Sequence, residues 1–255
     1  MPDKAVLGMI HLPPLPGTPF HRDGSLGEIR ATALRSARAL REGGADGCLV
    51  QTADRVYSPA DDADPARVAA LALIVAAIAD ETGFEVGVQV MRNAVRASLA
   101  VAKVAGGTFV RVGALVGATL TPQGIVQADP LGVAEYRRRI GADGVRVIAD
   151  VASMHFRWLG GGRAVGQVAR DARAAGADAV AVSDPDEAAA LALIAEVREA
   201  APGLPVYLAG HTNHENAARL LAEADGAFVG TCLERGGWGG EIDRERVEAY
   251  VAAVR

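Results

Sequence analysis

Lysine is nearly absent. Of 26 basic residues only Lys4 and Lys103 are lysine; the rest are arginine. Cysteine is as scarce. Cys48 and Cys232 lie far apart and form no Cys-x-x-Cys pair, as expected of a cytoplasmic protein with free thiols. Excess positive charge is missing too. The net charge of −5 argues against a nucleic-acid surface or an anionic membrane as partner. No apolar run reaches the roughly 18–20 residues that span a bilayer, so no membrane insertion is expected. The opening MPDKAV enters an apolar run almost at once and has no signal-peptide pattern.

What is present is a repeat. Short apolar runs at 5–10, 47–51, 85–91, 108–112, 145–150, 178–183, 205–210 and 226–231 alternate with longer Ala-rich amphipathic segments. The helices are predicted near 26–42, 65–82, 93–105, 131–140, 162–175, 186–200, 214–223 and 243–254. Runs that are apolar throughout are parallel strands covered on both faces. Gly-Ala-Asp signals close several helices just before the next strand. Eight strand–helix units in 255 residues predict a single-domain TIM (β/α)8 barrel over 1–255. A doubly wound open sheet fits less well, because the first strand–helix turn lacks G-x-G-x-x-G.

In such a barrel the chemistry sits at the C-terminal ends of the strands. The first run ends in His11 and then breaks into Pro13, Pro14, Pro16 and Pro19. Proline cannot continue a central strand, so 12–20 is expected to be a stiff lip over the barrel mouth. The other strand ends carry Gln51 and Asp54, Arg92 and Asn93, Arg111, Asp150 with His155, and His211 with Asn213. Three of the five histidines thus stand at or just beyond strand ends. The opposite loops are mostly Gly, Ala and Asp. Asp150 and His155 read as an acid/base pair, since a carboxylate beside an imidazole orients the ring and raises its basicity. His11 is the third catalytic candidate. Arg92 and Arg111 suit anion clamping through their bidentate fork. Gly210, Gly230, Thr231 and Cys232 follow the last two strands, where barrels commonly hold phosphate on backbone N–H groups.

The stretches VLGMIHLPPLPGTP, VMRNA, FVRVGALVGATLTPQGIV, EYRRRIGA, VRVIADV with the later His155, ENAARLL and DGAFVGT resemble the BtpA/SgcQ family along nearly the whole chain. IHLPPLPG is the most specific of them. The resemblance implies a TIM barrel and, from a cyanobacterial member, a link to photosystem I biogenesis. Positions retained from the family pattern are His11, Asp54, Arg92, Asn93, Arg111, Asp150 and His155. The chain departs from that pattern in five places. Gln51-Thr52 replaces Glu-Asn, Ala94 replaces Asp, and Met154 replaces Lys. VSDPDEA lacks the expected Thr-Gly, and His211 stands where Gly-Ser-Gly would end. An imidazole there fills space and adds a titratable cation. The pattern is that of a divergent member.

On the barrel reading a Schiff-base aldolase is excluded, because Lys4 lies at the wrong end and Lys103 inside a helix. A metal barrel of the amidohydrolase type would want His-x-His on the first strand, where Met9-Ile10-His11 stands. No flavin or nicotinamide signature is present. The residues therefore predict metal-independent acid/base chemistry on a small anionic substrate, with a phosphorylated one among the options. Isomerase, lyase and glycosyl- or phosphoribosyl-type reactions all fit. Gln51, Asp54, Asn93, His211 and Asn213 are expected to line that substrate, and a homo-oligomer is expected. Two alternatives stay open: an assembly or regulatory factor without chemistry, and a hydrolase with one divalent metal on His11, Asp150, His155 or His211.

Overall fold

The computed structural model describes residues 4–255. The start of the chain, at which no signal peptide is expected, lies in part outside the described residues. In chain order the strands are β1 (Ala5–Leu12), β2 (Gly47–Thr52), β3 (Glu85–Gln89), β4 (Phe109–Val112), β5 (Ala118–Thr121), β6 (Gly124–Gln127), β7 (Arg146–Ala152), β8 (Ala179–Val182), β9 (Val206–Leu208) and β10 (Gly226–Val229). All but β5 and β6 close into one parallel barrel, β1-β2-β3-β4-β7-β8-β9-β10 and back to β1. The helices are α1 (Leu26–Glu42), α2 (Pro65–Thr82), α3 (Val95–Val104), α4 (Pro130–Arg139), α5 (Val165–Ala174), α6 (Glu187–Ala200), α7 (Ala217–Glu223) and α8 (Arg244–Val254). The predicted (β/α)8 barrel is the fold observed.

The two-residue period of a strand explains the all-apolar runs. Ala5, Leu7 and Met9 of β1 point into the barrel, where they meet Phe109, Ile148, Tyr207 and Phe228. Val6, Ile10 and Leu12 point outward under the helices. Gly87 of β3 leaves room for the Phe109 ring, which a Cβ there would meet at 2.0 Å. Helix starts follow local chemistry. The Asp64 side chain accepts from the Ala66 N–H ahead of α2, and Pro65 takes the first helical turn, where no donor is needed. Asp129 with Pro130 repeats the device at α4.

Three local predictions are corrected. The segment between β4 and α4, for which no strand is predicted, contains the antiparallel β5–β6 hairpin, with Leu120 opposite Ile125. Helix α7 begins at Ala217 rather than near 214, because the Asn213 carbonyl side chain takes the Glu215 and Asn216 N–H groups in a turn first. The proline segment is ordered, with Leu15 buried and the Leu15 carbonyl accepting from both the N–H and the hydroxyl of Thr18. None of its residues lines the mouth cavity, however. Pro13, Pro14 and Phe20 wall a separate cavity beside it, between β1 and α1.

Candidate functional site

The C-terminal mouth of the barrel holds a cavity of about 820 Å³. Its inner wall carries His11, Arg111 and His155. His11 continues the inward row of β1. Its Nδ1 lies 2.8 Å from Glu234 Oε1, and both side chains are buried. Glu234 accepts at its other oxygen from the Gly239 N–H, 2.9 Å away. Nδ1 is thereby committed, and Nε2 is the nitrogen His11 has left for the cavity. Trp238 stands over the ring at 5.3 Å between centroids. Gly230 passes close beneath: a Cβ there would meet His11 Cε1 at 3.3 Å.

Arg111 projects inward from β4. Asp150 at the end of β7 accepts from its Nε and Nη2 at 2.9 and 3.0 Å, and Phe228 packs on the guanidinium face at 5.0 Å. Nη1 carries no partner among the described residues, and Arg111 lines the cavity, so this is the donor free to bind an anion. The Ser153 hydroxyl donates to Asp150 at 2.8 Å and accepts from the N–H groups of His155 and Phe156. Asp150 therefore fixes two things at once: the guanidinium, and through Ser153 the turn that carries His155.

Among the described residues the His155 ring has no hydrogen-bond partner. Burial, and then the nearby Arg111 charge, push its pKa down to about 4, against a weaker upward pull from Asp150. The imidazole is neutral at physiological pH, with both ring nitrogens open to a ligand.

The predicted Asp150–His155 pair is therefore corrected. The Asp150 carboxylate is consumed by Arg111 and Ser153 and is 1% exposed, so it orients rather than shuttles protons. Arg92 is corrected as well. It donates to Asp61, Thr121 and the carbonyls of Pro59, Gln123, Gly124 and Ile125, and leaves nothing for a substrate. Asn93 bonds the backbone of Ala114 in both directions. Asp54 turns away from the mouth into a buried pair with Arg67. Neither Arg92, Asn93 nor Asp54 lines the mouth.

The remaining candidates do. Gln51 donates to Gln89 at 2.7 Å on the cavity floor. Gly210, Gly230, Thr231 and Cys232 form one wall, with His211 and Asn213 at its rim. Burial pushes the Cys232 thiol up to about 11, so it is no thiolate nucleophile. His211 has φ +60, the left-handed region in which glycine is favoured. Glu234, Ser153 and Trp238 were not foreseen. Among the described residues no group of three or more His, Cys, Asp or Glu side chains is placed to hold a metal ion. No helix among them is long and apolar enough to cross a membrane.

Fold and mouth together define a (β/α)8 barrel whose C-terminal face carries an ordered cluster of histidine, arginine and carboxylate side chains. The chain belongs to the BtpA family, whose model matches residues 2–255. It is 33% identical over 255 residues to the photosystem I biogenesis protein BtpA of Synechocystis sp., covering 98% of this chain and 87% of that one. An uncharacterized protein of Archaeoglobus fulgidus is 32% identical over 259 residues, with 99% of each chain covered. Among solved structures, a thiamine phosphate pyrophosphorylase from Pyrococcus furiosus superposes with a TM-score of 0.56 at 16% identity, covering 98% of this chain and 95% of that one. That likeness is one of fold.

Proposed function

We propose that the mouth catalyses proton transfer on a small anionic substrate, in an isomerase or lyase type of reaction. The observation that carries this reading is the convergence of three prepared groups on one cavity. His11 is oriented by Glu234 as a base is by its partner. His155 is held neutral and unpaired. Arg111 is locked side-on by Asp150 with one donor free. Such a reaction needs one group to take a proton, another to return it, and a cation to hold the charge that develops between. His155 and His11 fill the first two roles and Arg111 the third. The reading routes no step through a metal.

Phosphate is the first anion to try. The Gly210–Gly230–Thr231 wall brings small residues and backbone to the same cavity, and one solved barrel of like fold is named for thiamine phosphate. The test is a histidine C2–H NMR titration with inorganic phosphate. The His11 and His155 signals are expected to move saturably. His21, bonded to the Pro14 carbonyl, and His214, bonded to the Arg246 carbonyl, are expected to stay still. Arg111→Met should abolish the response. If neither phosphate nor a panel of small carboxylates moves His11 or His155, the reading falls.

The name of the Synechocystis relative favours a second reading, an assembly role without chemistry. On that reading His155→Gln would leave the cellular function intact.

A further inference from the structure

Beside the mouth lies a second cavity, of about 610 Å³, which the proton-transfer reading does not use. It opens between the C-terminal end of β1 and the first turns of α1. Its floor is apolar: Ile10, Leu12, Ile29 and Ala33, all buried. Pro13 and Pro14 stiffen one side. The other side is Trp238, whose neighbours are Gly236, Gly237, Gly239 and Gly240. Three of those glycines, Gly236, Gly237 and Gly239, have φ between 77° and 95°. An indole on such a loop is 67% exposed, although a ring of that size normally finds a core or a partner. Among the described residues its one aromatic neighbour is His11, at 5.3 Å.

The charges around this cavity largely cancel. Arg22 pairs with Glu28, and Asp54 pairs with Arg67. Arg55 lies over the Phe20 ring at 5.1 Å. The lining therefore calls for no counter-ion. The two cavities meet at a shared wall, since His11 and Trp238 line both. Apolar space of about 150 Å³ already holds a benzene ring.

We propose that this side cavity binds an uncharged planar ring, aromatic or heteroaromatic, stacked on Trp238, with its substituent directed toward His11. That the ring belongs to the same substrate whose anionic end sits in the mouth rests on the function proposed above. The ring site itself rests on the cavity and the indole. It makes the substrate class an aryl or heteroaryl compound bearing a small anionic arm.

The test is a matched pair of neutral probes, benzamide and cyclohexanecarboxamide, titrated by calorimetry and ligand-observed NMR. The two share the amide and differ in whether the ring is planar. Benzamide is expected to bind with one-to-one stoichiometry, and about tenfold more tightly than its saturated analogue. Trp238→Leu keeps an apolar side chain on an exposed loop and removes the stacking face. Thr32→Tyr fills the cavity from a half-buried position on α1. Each should weaken benzamide by about tenfold with the melting temperature unchanged, while Arg111→Met should leave benzamide binding intact. Absence of benzamide binding overturns the proposal. So does equal binding of the two amides, or full binding to both cavity variants. Benzamide binding as expected, with no histidine response to phosphate or to the small carboxylates, leaves the ring site standing and removes the proton-transfer reading. The reverse result removes the ring site alone.

Discussion

A half-buried imidazole with no hydrogen bond among the described residues is costly to charge, and His155 shows this in its pKa, lowered to about 4 from 6.5. The consequence for stability has a definite sign. Between those two values the unfolded chain binds a proton at this residue and the folded chain does not. Stability is therefore complete above pH 6.5 and falls as the pH drops toward 4, with His155 accounting for about 3 kcal/mol of the loss. His155→Gln should remove that share, so that urea unfolding between pH 6.5 and 4 becomes flatter, while stability at neutral pH stays close to that of the parent. An unchanged acid slope would mean that His155 titrates normally and is not held neutral. The same residue shows what a sequence discloses about a site. His11, Arg111 and His155 were legible because each follows, ends or interrupts an apolar run near its C-terminal end, and a polar group there has few structural reasons to be present. The partner of each was harder to read. Asp150 was seen, but in the wrong pairing, because its distance to Arg111 on the neighbouring strand β4 is set by barrel closure and not by the short spacing to His155. Glu234 meets His11 across 223 residues of sequence, from a glycine-rich loop with no periodicity to mark it.

The β5–β6 hairpin is the element the sequence concealed. Its strands have four residues each, and its apolar cross-strand pair, Leu120 and Ile125, faces solvent at 66% and 54% exposure. A strand is recognised by apolar residues turned to a core, and here only Val126 is so turned, opposite the buried Thr119. What holds the hairpin is Arg92. Its guanidinium gathers Thr121 and the carbonyls at 123–125 on one side, and Pro59 and Asp61 of the loop after β2 on the other. Arg92→Met would leave four carbonyls and one carboxylate without their donor, at a cost of about 3 kcal/mol. The loss should be local. Amide hydrogen exchange is expected to accelerate at 118–127 and 53–64, while the barrel strands keep their protection. Protection unchanged in both segments would show that Arg92 is not their tether. Where an element is held by a local rule instead, the sequence was sufficient. Helices 26–42 and 65–82 match their predicted bounds, and the second of them is marked by the Asp64-Pro65 start and Gly83 at its end, with φ 64.

At the scale of the whole molecule the barrel divides its labour between its two ends. The Gly-Ala-Asp signals that close helices turn out to serve the N-terminal end. Asp46, just ahead of β2, accepts from the Val6 N–H of β1 at 2.8 Å. Asp178, ahead of β8, accepts from Val147 of β7 at 2.7 Å, and Asp225, ahead of β10, from Val206 of β9 at 2.6 Å. Each carboxylate ties the start of one strand to the chain entering the next, and each also pairs with an arginine: Arg255, Arg137 and Arg198 respectively. None touches the mouth. The three acceptors bond three separate strands, β1, β7 and β9, and three different arginines, so their contributions should add. Replacing each by alanine is expected to cost about 1–2 kcal/mol, since a charged acceptor lost from a backbone N–H is worth that order. The triple variant Asp46→Ala, Asp178→Ala, Asp225→Ala should melt well below the parent and still show the full response of His11 and His155 to phosphate. Arg111→Met should give the opposite pattern at the site, a lost response. If the triple variant loses the response while still folded, the two ends are energetically coupled, and the strand-start aspartates belong to the function as well as to the fold.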